Sequence, residues 1–185
     1  MNSELQQRAA GIKLLLLDVD GVLTDGVIFY VPDSSGGTFE TKGFNSQDGI
    51  SLQWLSEHGI QTGLISGRKS QATEVRGKQL HMKYVYTGHL HKLPVLEEIL
   101  ADSGLTMANV AYGGDDLVDV PIMRRVGLAF APANAVAEVK AVAHHVTAAA
   151  GGHGAVREMA EILLKANGAW NAILKHYEVV SAEVD

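Results

Sequence analysis

Cysteine is absent from this chain. That rules out disulfides, a thiolate nucleophile and thiolate zinc sites, and it suits a reducing cytosol. Long apolar runs are missing as well: nothing approaches the roughly 20 residues needed to span a bilayer. Basic residues are outnumbered, 15 Lys and Arg against 21 Asp and Glu, which leaves a net charge of −6 and no basic footprint for nucleic acid. An anionic small molecule is still compatible, since it needs only a local positive pocket. The segment Met1 to Gly11 is polar and mixed in charge, unlike a secretory signal, so the expected location is cytoplasmic, with no membrane partner. No repeat, low-complexity tract or long linker interrupts the chain. With 46% hydrophobic and 19% charged residues over 185 positions, a single globular domain spanning 1–185 is expected.

The most informative feature present is a pair of aspartates, Asp18 and Asp20, at the end of the run Leu14-Leu15-Leu16-Leu17. Four leucines in succession predict a short strand buried on both faces, as in a parallel sheet. Carboxyl ends of such strands are where open α/β folds place their chemistry. Buried carboxylates are costly unless paired or metal-bound, so two of them here predict a reactive pair with a cation. Period two puts both on one side of the strand, and Gly21 permits a sharp turn after them.

Strand and helix signals alternate along the rest of the chain. Strands are expected at 13–18, 62–65, 84–86, 110–112, 127–130 and 145–147, and helices at 50–58, 70–80, 93–103, 118–125, 135–143 and 155–166, with a C-terminal tail to 185. This alternation predicts a three-layer α/β fold around a parallel sheet. One segment departs from it. Residues 26–44 hold two apolar runs around Pro32-Asp33-Ser34-Ser35-Gly36-Gly37, a β-hairpin signal, and their position after the aspartate loop makes them a flap over the site.

Further chemistry falls at the ends of predicted strands. Ser66-Gly67-Arg68 follows one, Lys92 opens a helix after another, and Gly113-Gly114-Asp115-Asp116 follows a third. In a parallel sheet these ends share one edge. Carboxylates there suit Mg²⁺, whereas a hydroxyl, backbone N–H groups and an ammonium suit a phosphoryl group. The combination points to phosphoryl transfer with an aspartate nucleophile.

Asp18-Val19-Asp20-Gly21-Val22-Leu23-Thr24-Asp25-Gly26, Ser66, Lys92 and Gly114-Asp115-Asp116 resemble, in order and strand placement, the four motifs of the haloacid dehalogenase (HAD) superfamily of phosphohydrolases. The resemblance runs from about Ile12 to Ala166. Phe44-Asn45 before Asp48-Gly49, and Gly151-Gly152-His153-Gly154 before Ala155, are similar to the phosphatases of 3-deoxy-D-manno-octulosonate 8-phosphate (KDO 8-phosphate), with another eight- or nine-carbon sugar acid phosphate as the alternative substrate. The resemblance implies a Rossmann-like fold with the flap but no cap domain, since neither interval flanking Ser66 has room for one. It implies Asp18 as nucleophile and Asp20 as acid and then base. The metal set would be the Asp18 carboxylate, the Asp20 backbone carbonyl and Asp115, holding Mg²⁺ with Asp116 in support. Ser66, Gly67, Arg68 and Lys92 would bind substrate. A homotetramer and a phosphorylated sugar acid are the implied partners.

Two positions depart from the pattern: His153 stands where arginine is frequent, and Gly113 where a bulky apolar residue is usual, which predicts looser packing there. Asp25 and Asp119 read as loop and helix-start hydrogen bonders, Asp48 as part of a helix entry, and Arg76 as a solvated helix face. A phospho-receiver module would need an aspartate where the third strand ends, and Tyr86-Thr87-Gly88 offers none.

Overall fold

A computed structural model describes residues 3–180. The chain begins with helix α1 (Ser3–Ala10), and strand β1 (Leu14–Leu17) follows with all four leucines buried. Two short strands, β2 (Phe29–Pro32) and β3 (Thr38–Thr41), pair antiparallel in register Phe29 with Thr41 through Pro32 with Thr38, and they form the flap. Asp33 Oδ1 closes its tip by accepting from the N–H groups of Ser35 and Gly37. Helix α2 (Ser46–Glu57), strand β4 (Gln61–Ser66), helix α3 (Gln71–Gln79) and strand β5 (Tyr84–Thr87) come next. Helix α4 (Lys92–Ser103), strand β6 (Val110–Gly113), the short helix α5 (Val120–Met123) and strand β7 (Leu128–Ala131) then lead to helix α6 (Ala137–Val142). Strand β8 (His145–Val146) and helices α7 (Ala155–Ala166) and α8 (Trp170–His176) complete it.

Six strands make one parallel sheet in the order β5-β4-β1-β6-β7-β8. The chain steps outward from β1 to β5, then returns to the other side of β1 and steps outward again. The reversal lies between β1 and β6, which is where such sheets open a crevice at their carboxyl ends. Alternation along β1 divides the core in two. Leu15 and Leu17 join the cluster built with α1, α2 and α7, while Leu14 and Leu16 join that built with α4, α5 and α6. The three-layer parallel fold expected from the sequence is therefore what forms.

The helices start and stop for local reasons. Asn45 caps α2, its side-chain oxygen accepting from Gln47 N and Asp48 N, which begins the helix earlier than the apolar periodicity suggested. Gly104, at φ +69°, ends α4. Three departures from the sequence reading stand out. The polar N-terminal segment is largely helical, held by buried Leu5 and Ala9 and by Arg8 donating to Gly127 O at 3.2 Å. The helix expected at 118–125 breaks into a 3₁₀ turn, Leu117–Asp119, followed by α5. The expected C-terminal helix and tail resolve into α7 and α8, separated at Gly168 (φ +75°), with 181–185 outside the described residues.

Packing at Gly113 is also the reverse of the expectation. A Cβ there would lie 2.9 Å from Leu17 Cδ2 and 3.1 Å from Met159 Sδ, so those side chains already fill the space and nothing is loosened.

Candidate active site

The parallel ladder delivers Asp18 to the sheet edge: its N–H donates to Gly113 O at 2.9 Å, one step beyond the pairing of Leu17 with Gly113. The chain then turns through Val19–Leu23, with Gly21 at φ +97°. Thr24 closes this turn, N–H and Oγ both donating to Val19 O. Any side chain at Gly21 would collide with Asp115, whose Oδ2 lies 2.1 Å from the position of a Cβ. The turn is clamped from outside by Asn134, whose amide donates to Gly21 O (3.0 Å) and accepts from Gly151 N (2.7 Å), and by Gly152 N donating to Val22 O. The loop Gly151–Gly154 thus lies directly on the aspartate turn, with His153 exposed.

Lys92 sits at the first position of α4, almost wholly buried. Its ammonium donates to Asp18 Oδ1 at 2.5 Å, to Asp119 Oδ1 at 2.7 Å and to Tyr112 OH at 3.3 Å. Tyr112 OH in turn donates to Asp119 Oδ1 at 2.7 Å, and Asp119 Oδ2 accepts from the N–H groups of Asp115 and Asp116. Burial alone would push the Lys92 ammonium down, but Asp18 and Asp119 outweigh it and hold it above its ordinary value. Burial, with Asp119 and Asp18 alongside, raises the Tyr112 phenol, which therefore remains a proton donor.

The remaining charge imbalance is what a cation would satisfy. Asp18, Asp115 and Asp119 each offer a carboxylate oxygen within 4.8 Å of the others, against one ammonium. Burial pushes Asp18 up to about 6, with Lys92 pulling it down and Asp119 up. Burial, reinforced by Asp18 and Asp119, pushes Asp115 up to about 8. Asp115 Oδ1 is buried without a hydrogen-bond partner. An orphaned carboxylate oxygen in an all-oxygen cluster with surplus negative charge fits a hard divalent cation.

Asp20 points elsewhere. Its Oδ1 accepts from Lys42 Nζ at 2.6 Å, and its Oδ2 lies 3.9 Å from Arg68 Nε. Ser66, at the end of β4, is buried, and its Oγ accepts from Arg68 N at 3.2 Å. Gly67 has Leu90 against the place of a Cβ, and Arg68 is exposed. Asp116 is exposed too and caps the 3₁₀ turn through Leu117 N. The structure thus gathers Asp18, Asp115 and Lys92 at one point. Asp20 and Arg68 stand beside them under the flap, and Asp116 lies outside.

Several residues were missed or misjudged from sequence. Asp119 is no mere helix-start bonder: it anchors Lys92 and belongs to the acidic cluster, and its spacing from Asp115 was the available signal. Tyr112 carries a polar tip inside an apolar strand. Lys42 and Glu40 reach the site from the flap, and period two on β3 marks them as sharing a face. Asp48 stands in the first turn of α2, as the helix-entry reading has it, and it also reaches the start of α7, where Arg157 N donates to its Oδ1 at 2.7 Å. Arg76 is not a solvated face, since its guanidinium donates to Asn45 O and lies over the Phe44 ring.

Comparison with known proteins shows the family. Residues 64–159 match the family model described as haloacid dehalogenase-like hydrolase. The chain is 39% identical over 168 residues to the 3-deoxy-D-manno-octulosonate 8-phosphate phosphatase of Escherichia coli strain K12, covering 91% of this chain and 87% of that one. Among solved structures it superposes on a probable YrbI family phosphatase from Pseudomonas syringae with a TM-score of 0.91 at 42% identity, over 98% and 100% of the two chains. The 3-deoxy-D-manno-octulosonate 8-phosphate phosphatase from Moraxella catarrhalis, solved with magnesium, phosphate and KDO, superposes with a TM-score of 0.90 at 37% identity, over 96% and 99%.

Proposed function

From the premise that this chain belongs to the haloacid dehalogenase-like hydrolases, we propose that it releases phosphate from a phosphorylated sugar acid, KDO 8-phosphate, in a Mg²⁺-dependent reaction. The observation that carries this reading is the buried carboxylate of Asp18 facing Lys92, beside Asp115 with its unpartnered oxygen. A phosphate dianion approaches a carboxylate only where positive charge is already in place, and this cluster is built to hold it.

In this mechanism an Asp18 carboxylate oxygen attacks phosphorus and the ester P–O bond breaks, which leaves an aspartyl-phosphate. The departing alkoxide takes a proton from Asp20. Asp20 then removes a proton from water as that water attacks phosphorus, the Asp18–phosphoryl bond breaks, and inorganic phosphate leaves with Asp18 restored. Lys92 and Ser66 hold phosphoryl oxygens. Asp18, Asp115 and the Asp20 carbonyl, with Asp119 at their side, would hold Mg²⁺, which when bound would supply electrostatic neutralisation of the approaching anions.

The reading extends to the whole 1–185 chain as one hydrolase domain working in the cytoplasm on a precursor of lipopolysaccharide. It also extends to a homotetramer. Phe29, Tyr30 and Phe39 on the flap are more than half exposed, and Leu90, Leu117 and Val118 add apolar surface elsewhere. Such surface in one chain marks an interface. Assay of phosphate release from KDO 8-phosphate, a nine-carbon sugar acid phosphate and simple hexose phosphates, with Mg²⁺ and with EDTA, tests the proposal. Preference for the eight-carbon acid is expected. Faster turnover of the nine-carbon acid would move the substrate assignment to that compound, and no phosphate release from any ester would remove the phosphatase reading.

A further inference from the structure

Strand β3 turns Phe39 outward and Glu40 inward, and Lys42 continues the inward face just beyond the strand. The Lys42 side chain is fully buried, 2.6 Å from Asp20 Oδ1 and 3.2 Å from Glu40 Oε1. The other Glu40 oxygen lies 3.5 Å from Arg68 Nη1, and Arg68 Nε lies 3.9 Å from Asp20 Oδ2. Two carboxyl groups and two basic side chains therefore alternate around a closed ring that joins the flap, the aspartate turn and the loop after β4.

The edges of this ring differ in strength. Arg68 is half exposed and its contacts are long, so water competes with them. The pair of Lys42 with Asp20 is short, and its cation has no access to solvent, the condition under which an ion pair constrains geometry most. Without Lys42, only the exposed and distant Arg68 among these groups would restrain the Asp20 side chain.

We propose that Lys42, delivered by the flap and braced by Glu40, is a positioning residue that holds the Asp20 carboxyl group in place for proton exchange with the leaving oxygen. The inference rests on the phosphatase reading, in which Asp20 serves the leaving group, and it gives the flap a task within its own chain. Arg68, being exposed and loosely held, can leave the ring for a substrate anion while Lys42 stays.

Rapid-quench measurement of the first turnover separates this role from a general structural one. Two esters are compared: KDO 8-phosphate, whose alkoxide needs a proton to leave, and 4-nitrophenyl phosphate, whose phenolate does not. Lys42→Met is expected to slow the alkyl ester on the order of 10²-fold, the scale of misplacing a catalytic group. The alkyl-to-aryl rate ratio should fall by about tenfold or more, since loss of a proton donor registers only where one is needed. Glu40→Gln keeps the shape of the flap and should move the ratio the same way by a smaller factor, which decides the matter if Lys42→Met does not fold. An unchanged ratio in these variants, with a collapsed ratio in Asp20→Asn, would overturn the positioning role and leave the phosphatase reading standing. An unchanged ratio in Asp20→Asn would remove the reading beneath both.

Discussion

Lys92 meets Asp18 and Asp119 with one ammonium group, and the two carboxylates carry different duties. Asp18→Asn should abolish phosphate release by removing the nucleophile, with folding little altered, as steady-state assay and thermal melting would check. Asp119→Ala should be costlier to the fold than to recognition. It leaves a buried ammonium short of a partner and two backbone N–H groups unanswered, a loss of about 3–5 kcal/mol measurable by urea unfolding. The acidic cluster also sets a pH dependence. Asp18 at about 6 and Asp115 at about 8 both lie above the ordinary carboxylate value of 3.8, so the folded chain binds protons more tightly than the unfolded one. The stability this supplies is complete below the unfolded value and is lost as pH rises through about 6 and then about 8. Without divalent cations the melting temperature should fall across that interval. Saturating Mg²⁺ should oppose the fall, because the cation takes the place of the protons. An unchanged slope with Mg²⁺ would count against the cation site. At this scale the sequence was only partly legible. Asp18, Asp115 and Lys92 announce themselves at strand ends, whereas the meeting of Lys42 with Asp20 depends on how a hairpin folds back.

Among the elements, the loop Gly151–Gly154 and helix α7 form the outer support of the aspartate turn. A Cβ at Gly151 would lie 1.9 Å from Gly21 O, with backbone on both sides. Gly151→Ala should therefore displace the turn carrying Asp18 and Asp20 and cut turnover by about tenfold or more, with substrate still bound, as a kcat and KM comparison would show. Asp48→Ala should destabilise the start of α7 by about 1–2 kcal/mol through loss of the acceptor for Arg157 N, observable by thermal unfolding. Strands β1, β4, β5 and β6 were readable because each is a short run, largely apolar, closed by a polar or glycine residue. Helix α1 was not, because it buries just two apolar side chains, Leu5 and Ala9, and most of its remaining residues are polar. Nor could local sequence show that Asp48 caps a helix 109 positions away.

For the molecule as a whole, the exposed apolar flap predicts association: light scattering at micromolar concentration should report a tetramer, and a monomer would refute it. The order of the sheet carries a different consequence, one of timing. The site straddles β1 and β6, yet in the chain these strands are separated by the flap, β4, β5 and the three helices α2, α3 and α4. A nascent chain that has emerged only as far as Ser103 already holds Asp18, Asp20, Ser66 and Lys92. It has neither Asp115 nor Asp119, and β1 still lacks the neighbour whose Gly113 carbonyl fixes Asp18. Synthesis delivers the chain from its N-terminus whereas a domain generally folds as a unit, so the nucleophile is made early and stays inert until the second half of the sheet docks. The same arrangement makes any C-terminally shortened product that ends before β6 an inactive one, whatever structure its first half attains.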